Sequence, residues 1–143
     1  MGQLDAGYRT LFSHPYLVES LISGFLPEQW TEGLDYSSLE TVSEAHATET
    51  WSMRYNDRVW RLRKRAGGWI YFYLMLEFQS TNEHFMALRT LSYVGVLYQH
   101  LRKSLELRPR DLLPTVLPLV LYHGASRWTA TTQVFDLIEP AGP

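Results

Sequence analysis

A glutamate and a glutamine interrupt the most hydrophobic stretch of the chain. The run Ile70-Tyr71-Phe72-Tyr73-Leu74-Met75-Leu76 passes directly into Glu77-Phe78-Gln79-Ser80. Moving a carboxylate into an apolar interior is strongly unfavourable unless it is paired or binds a metal. Side chains alternate faces along a strand, so Glu77 and Gln79 share a face, roughly 7 Å apart. A metal-dependent hydrolytic site requires that geometry.

A second acid is found by register. Asp57 to Arg65 and Trp69 to Gln79 read as two strands of a hairpin joined across Ala66-Gly67-Gly68. With that three-residue loop Arg65 pairs with Trp69, and counting back places Asp57 opposite Glu77. The same register sets Trp60 by Leu74 and Leu62 by Phe72 on an apolar face. The other face then holds Asp57, Glu77 and Gln79, with Arg61 against Tyr73 and Arg63 against Tyr71. A two-residue loop would set arginines against Leu74 and Phe72, and register follows the hydrophobic pattern.

Directly opposed strand residues have Cβ atoms roughly 4.5–5.5 Å apart, so two carboxylates there would repel. A divalent cation removes the conflict. Oxygen ligands favour Mg2+ or Mn2+, which often take only one or two carboxylates and keep several waters. The Phe78 backbone carbonyl, between the two polar side chains, offers a further ligand. Such a metal would assist formation of a hydroxide nucleophile and neutralise charge on a phosphoryl oxygen. The bland alternatives are an ion pair of Glu77 with Arg58 or Arg61, a strand cap at Asp57, and a backbone hydrogen bond at Gln79. Arg61 and Arg63 are candidate phosphate contacts. So are Arg89 and Tyr93, one turn apart on the following helix. Glu19 reads as part of a solvated helix face.

Five segments in order carry a resemblance: Leu4-Asp5-Ala6-Gly7-Tyr8-Arg9, Leu11-Phe12-Ser13-His14-Pro15, Gly24-Phe25-Leu26-Pro27, Leu74 to Ser80, and Leu117-Pro118-Leu119-Val120-Leu121-Tyr122-His123-Gly124. Together they resemble the bacterial recombination-promoting nuclease (Rpn) family, also known as YhgA-like transposases, over nearly the whole chain. Asp57 followed by Glu77-Phe78-Gln79 also resembles the PD-(D/E)XK nuclease core. The resemblance implies a restriction-endonuclease-like α/β fold and Mg2+-dependent DNA endonuclease activity linked to recombination and mobile elements. It makes Asp57 and Glu77 metal ligands and puts Gln79 at the usual catalytic lysine position. Glutamine offers a neutral dipole where lysine offers a charge. Leu4 stands where the family often has histidine, which leaves Asp5 without an assigned role. Family members continue beyond residue 143, so residues 1–143 read as one nuclease-like domain, the N-terminal part of a longer protein. The competing reading is a catalytically inactive DNA-binding or oligomerisation module of the same fold. RNA as substrate, and a homodimer that cuts both strands, stay open.

The rest of the chain must position these groups. Its 143 residues, 45% hydrophobic and 14% aromatic, suit one folded domain with a sizeable core. Absence of cysteine excludes disulfides and thiol chemistry and fits a cytoplasmic location. No apolar run approaches the roughly 18 residues of a membrane span. Net charge is −2, yet Arg54, Arg58, Arg61, Arg63, Lys64 and Arg65 form a local basic cluster able to meet phosphate.

Tyr8 to Phe25 predicts helix with a break at Ser13-His14-Pro15, where His14 can cap, and a stripe of Leu17, Val18, Leu21, Ile22 and Phe25. Gln29 to Ser37 predicts a loop, and Leu39 to Glu44 a short strand. A long helix over Glu83 to Leu105 has the stripe Leu88, Leu91, Val94, Tyr98, Leu101 and Leu105. Thr115 to Tyr122, apolar throughout, predicts a strand internal to the sheet. The order gives an α/β fold with a mixed central sheet flanked by helices.

Overall fold

The computed structural model describes residues 10, 12–42, 57–77, 83–124 and 126–142. Helix α1 (Pro15–Phe25) begins where proline pre-sets φ and lacks only a donor that the first turn leaves unused. His14 is its N-cap residue, without a side-chain cap bond. Val18, Leu21 and Ile22 are buried, whereas Phe25 is exposed, so the stripe is narrower than expected. A short helix α2 (Glu28–Thr31) and strand β1 (Leu34–Thr41) occupy most of the stretch expected to be loop.

The short strand expected from Leu39 is the end of β1, and its first part, Leu34 to Ser38, escaped the sequence pattern because a bulge breaks the alternation. Asp35 pairs with Arg63, but the next pairs are Glu40 with Arg61 and Thr41 with Trp60. Inside the bulge the Ser37 N–H donates to Asp35 Oδ1 at 3.1 Å, and the Arg63 N–H donates to Ser38 Oγ at 2.7 Å. Side chains thus take over ladder bonds that a register shift removes.

Strands β2 (Arg58–Lys64) and β3 (Trp69–Glu77) are antiparallel, and β4 (Thr115–Tyr122) runs parallel to β3 after helix α3 (Met86–Ser104). The mixed sheet has the order β1-β2-β3-β4. Trp60, Leu62, Ile70, Phe72 and Leu74 pack with Val18, Leu21 and Ile22 of α1. Val59, Tyr71, Tyr73 and Met75 pack with Leu97 and Leu101 of α3. The result is a sheet with helices on both faces, the α/β architecture expected. A short 3-10 turn (Val134–Leu137) follows β4. No described helix is long and apolar enough to cross a membrane.

Three further expectations need correction. The hairpin register is two residues off: Trp60 pairs with Phe72, Arg61 with Tyr71, Leu62 with Ile70 and Arg63 with Trp69. The loop does have three residues, but they are Arg65-Ala66-Gly67. The Gly67 N–H donates to the Lys64 carbonyl at 2.9 Å, the Lys64 N–H donates to the Gly68 carbonyl at 3.0 Å, and Gly67 has φ +106°. A type I turn followed by a positive-φ residue is the usual three-residue hairpin, and it needs glycine third. Because the error is even, every side chain keeps its face.

Strand β4 is not internal. Among the described residues it is the sheet edge, with Pro118 and Val120 exposed, and an edge is where a donorless proline is tolerated. In α3, Leu88 and Leu91 are exposed, while Met86, Ala87, Leu97, His100 and Leu101 are buried. The first turns of α3 aim polar residues at the sheet instead.

Candidate functional site

The end of β3 and the residue before β2 place two acids on the α3 side of the sheet. Asp57 shares the parity of Val59, and Glu77 that of Tyr73 and Met75, which line that face. Both acids are buried, Asp57 completely and Glu77 to 2% residual exposure. Since Arg58 pairs with Leu74, Asp57 stands beside Met75 rather than opposite Glu77. Diagonal neighbours of this kind lie roughly 7–8 Å apart. The pair is therefore wider than the sequence register implied, with weaker mutual repulsion and more room between the carboxylates.

Each carboxylate is held. The Tyr73 hydroxyl, itself fully buried, donates to Asp57 Oδ2 at 3.2 Å. A buried tyrosine seeks a partner for its O–H, and here the partner is a ligand candidate. Glu77 Oε2 accepts from Arg89 Nη1 at 3.1 Å, so its ion-pair partner comes from α3 and not from Arg58 or Arg61 in β2. The same nitrogen lies 3.7 Å from Glu83 Oε2. Glu83 Oε1 in turn accepts the Phe85 N–H at 3.1 Å, which satisfies a backbone donor ahead of α3. The backbone of Glu77 is fixed as well, its carbonyl accepting the His123 N–H at 2.9 Å just past β4.

Of the remaining candidates, Tyr93 stacks at a tilt on Tyr73, with ring centroids 6.5 Å apart, and reaches Asp57 only through that ring. Phe78 and Gln79 lie outside the described residues, as does Asp5. Glu19 is half-buried on α1, where its charge helps raise the pKa of the Tyr36 phenol, second to burial itself.

Arg61 and Arg63 stand apart. Counted along β2 from Asp57, they are roughly 13 and 20 Å away at 3.3 Å per residue. Both guanidiniums cover the Trp69 ring, with Cζ 4.0 and 4.7 Å from its centroid. Arg61 also donates from Nε to Glu40 Oε1 at 2.8 Å and lies 3.5 Å from the Tyr71 hydroxyl. Burial alone would lower the Arg61 pKa, but hydrogen bonds to Tyr71 and Glu40 outweigh it and the net shift is upward. Arg61 is a committed structural cation, while Arg63 is exposed.

Sequence reasoning singled out neither Tyr73 nor Glu83. Tyr73 had a signal: it lies four residues before Glu77 on the same strand face and carries a hydroxyl into the core.

Among the described residues no group of three or more His, Asp or Glu is close enough to hold a metal. Two buried carboxylates on one face are nevertheless a donor set that suits Mg2+ or Mn2+, which rarely demand an all-protein cage. The donors are hard oxygens, and Arg89 is ion-paired with Glu77.

Residues 3–142 match the family model of YhgA-like transposases. Recombination-promoting nuclease RpnD of Escherichia coli O157:H7 is 30% identical over 122 residues, covering 85% of this chain and 45% of the relative. RpnA of E. coli K12 is 26% identical over 121 residues, covering 84% of this chain and 39% of the relative. The inactive recombination-promoting nuclease-like protein RpnE of the same strain is also 26% identical over 121 residues, with 84% and 38% covered. The chain thus spans less than half the length of these relatives. No solved structure matches it significantly. Alongside its similarity to proteins named recombination-promoting nucleases, the chain has 140 of its residues under one family model and belongs to the YhgA-like transposase family.

Proposed function

We propose that this chain is a nuclease domain of PD-(D/E)XK type that hydrolyses phosphodiester bonds in DNA with the help of Mg2+ or Mn2+. One observation carries the reading. Two completely or almost completely buried carboxylates, Asp57 and Glu77, share a sheet face and are each held by a polar partner, Tyr73 and Arg89. Buried acids with dedicated orienting groups, in a family with members named nucleases, suit a metal centre better than they suit fold support.

Asp57 and Glu77 would hold the metal, with the Phe78 carbonyl as a further oxygen donor. The metal would supply charge neutralisation at a phosphoryl oxygen and a more acidic water. Tyr73 fixes the Asp57 carboxylate, as groups around metal ligands commonly do. Gln79 would offer an amide dipole to the reacting water or phosphate. The exposed Arg63, with Lys64 and Arg65 at the hairpin tip, gives a cationic edge that a nucleic-acid backbone could follow. A single domain reaches one strand, and a homodimer would reach both.

The second reading, an inactive module that binds DNA or assembles with itself, is favoured by one observation: RpnE, as identical to this chain as RpnA is, is named inactive. Supercoiled-plasmid nicking with Mg2+, Mn2+ or EDTA separates the two, with Asp57→Asn and Glu77→Gln tested beside the parent. Metal-dependent nicking lost by at least about a hundredfold in both folded variants is expected. A folded, metal-supplied parent that never nicks DNA would leave the inactive module. Matched RNA substrates in the same assay decide the nucleic acid.

A further inference from the structure

Three features weaken the contact between Arg89 and Glu77. First, it is end-on. Arg89 Nη1 alone serves both Glu77 at 3.1 Å and Glu83 at 3.7 Å, so the bidentate fork that makes arginine–carboxylate pairs strong is absent. Second, Arg89 Nε and Nη2 are buried and have no hydrogen-bond partner among the described residues. Guanidinium donors left empty in this way are costly, and any rearrangement that satisfies them lowers the barrier to leaving Glu77. Third, Arg89 is the fourth residue of α3. The N-terminal turn is the positive end of the helix dipole, the wrong end for a cation.

Glu77 is nevertheless too buried to stand alone. A carboxylate with 2% exposure needs a positive partner. Arg89 is the cation in place, and 23% of its side chain still reaches solvent, which leaves it a way out.

We propose that Arg89 is an exchangeable counter-ion for Glu77, holding the carboxylate until a divalent cation takes its place. Resting on the metal reading of the site, this adds that arginine and metal compete for one carboxylate. Arg89 then sets the metal concentration at which the site fills. If the ion pair is closed nine-tenths of the time, apparent metal affinity falls about tenfold, because only the open fraction binds.

The test is Mg2+ binding by calorimetry without nucleic acid, on the full chain and on Arg89→Gln and Arg89→Lys. Arg89→Gln removes the competitor and should bind Mg2+ about tenfold more tightly than the parent. Arg89→Lys keeps the charge and should stay near the parent. Equal or weaker binding by Arg89→Gln would overturn the exchange, since an arginine that only supports the fold has no reason to weaken metal binding. A second arm uses the parent alone. The Arg89 Nε–H resonance in 15N-arginine-labelled protein should move with Mg2+ and saturate at the calorimetric Kd. A resonance unmoved at saturation also overturns the exchange, even if Arg89→Gln fails to fold. Binding of Mg2+ with an affinity indifferent to Arg89 refutes the exchange and leaves the metal site standing. No Mg2+ or Mn2+ binding by any of the three proteins refutes both.

Discussion

Replacing Tyr73 with phenylalanine removes one oxygen from the core and almost nothing else. The ring, fully buried against α3, keeps its packing, while Asp57 Oδ2 loses a donor at 3.2 Å. A hydrogen bond to a charged group contributes about 1.5–3 kcal/mol, and burial of both partners puts this one near the middle of that range. For a domain of this size, about 2 kcal/mol corresponds to a fall in Tm of roughly 7 °C. Tyr71→Phe is the matched control. Tyr71 lies two residues earlier on the same face, is equally buried, and meets only Arg61 Nη1 at a marginal 3.5 Å. Its loss should stay under about 1 kcal/mol. Thermal melts in EDTA read stability, and plasmid nicking in Mg2+ reads the site. On the proposed metal reading, Tyr73→Phe should also cut nicking by about 10–100-fold, the usual effect of releasing a metal ligand's orienting partner, and Tyr71→Phe should not. Equal Tm losses in the two variants would refute the hydrogen bond as Asp57's anchor. A large Tm loss with full nicking would refute Asp57 as part of the site.

Two further outcomes follow from local geometry. Gly67→Ala puts a side chain at φ +106° with nothing within 4 Å of the new Cβ, so the strain is purely of the backbone. It should cost about 1–2 kcal/mol, read by urea denaturation, and an unchanged midpoint would mean the turn can relax to another type. The Asp111 carboxyl is held below its ordinary 3.8 first by the Arg108 backbone N–H and then by the Arg108 guanidinium. Since the folded-state value is depressed, its contribution is complete above 3.8 and is lost as pH falls through the lower folded value. An NMR titration should find that midpoint below 3.8 and only partly restored in Arg108→Ala, because the backbone donor remains.

The elements that repeat a strict pattern were legible, and those whose backbone bonds go to side chains were not. Strand β4 runs over Thr115–Tyr122 as its continuous apolar stretch indicates, and β2 and β3 lie within a residue or two of their expected bounds over the described residues. The first half of strand β1 was hidden because Asp35 and Ser38 turn their side chains onto the backbone across a bulge, which erases the alternation a reader looks for. The edge position of β4 was illegible for another reason. A strand that is apolar on both sides suggests cover on both sides, and only the sheet order shows which neighbour is there.

The hairpin shows why Asp57 and Glu77 share a face although the expected register is two residues off. A register wrong by one residue would have sent Asp57 and Glu77 to opposite faces, and the case for a shared ion would have collapsed. Wrong by two, it changes the neighbour and keeps the face: Asp57 moves from Glu77's direct partner to its diagonal one. The parity of an acid in a strand is therefore safer to read than its partner. Helix α3 shows the opposite case. Its apolar residues suggested a stripe through Leu88 and Leu91, but the helix turns those outward and aims Arg89, Thr90 and Tyr93 at Glu77, Met75 and Tyr73. The sheet face there carries an acid and a tyrosine hydroxyl. A helix covering such a face must bring polar groups to it, and that requirement outweighs the burial of two leucines worth about 1.5–3 kcal/mol each. Exposed leucines at the start of α3 are thus a consequence of the carboxylates on the sheet, and Leu88→Lys should leave both Tm and nicking close to the parent, whereas Thr90→Leu, on the inward side, should disturb nicking.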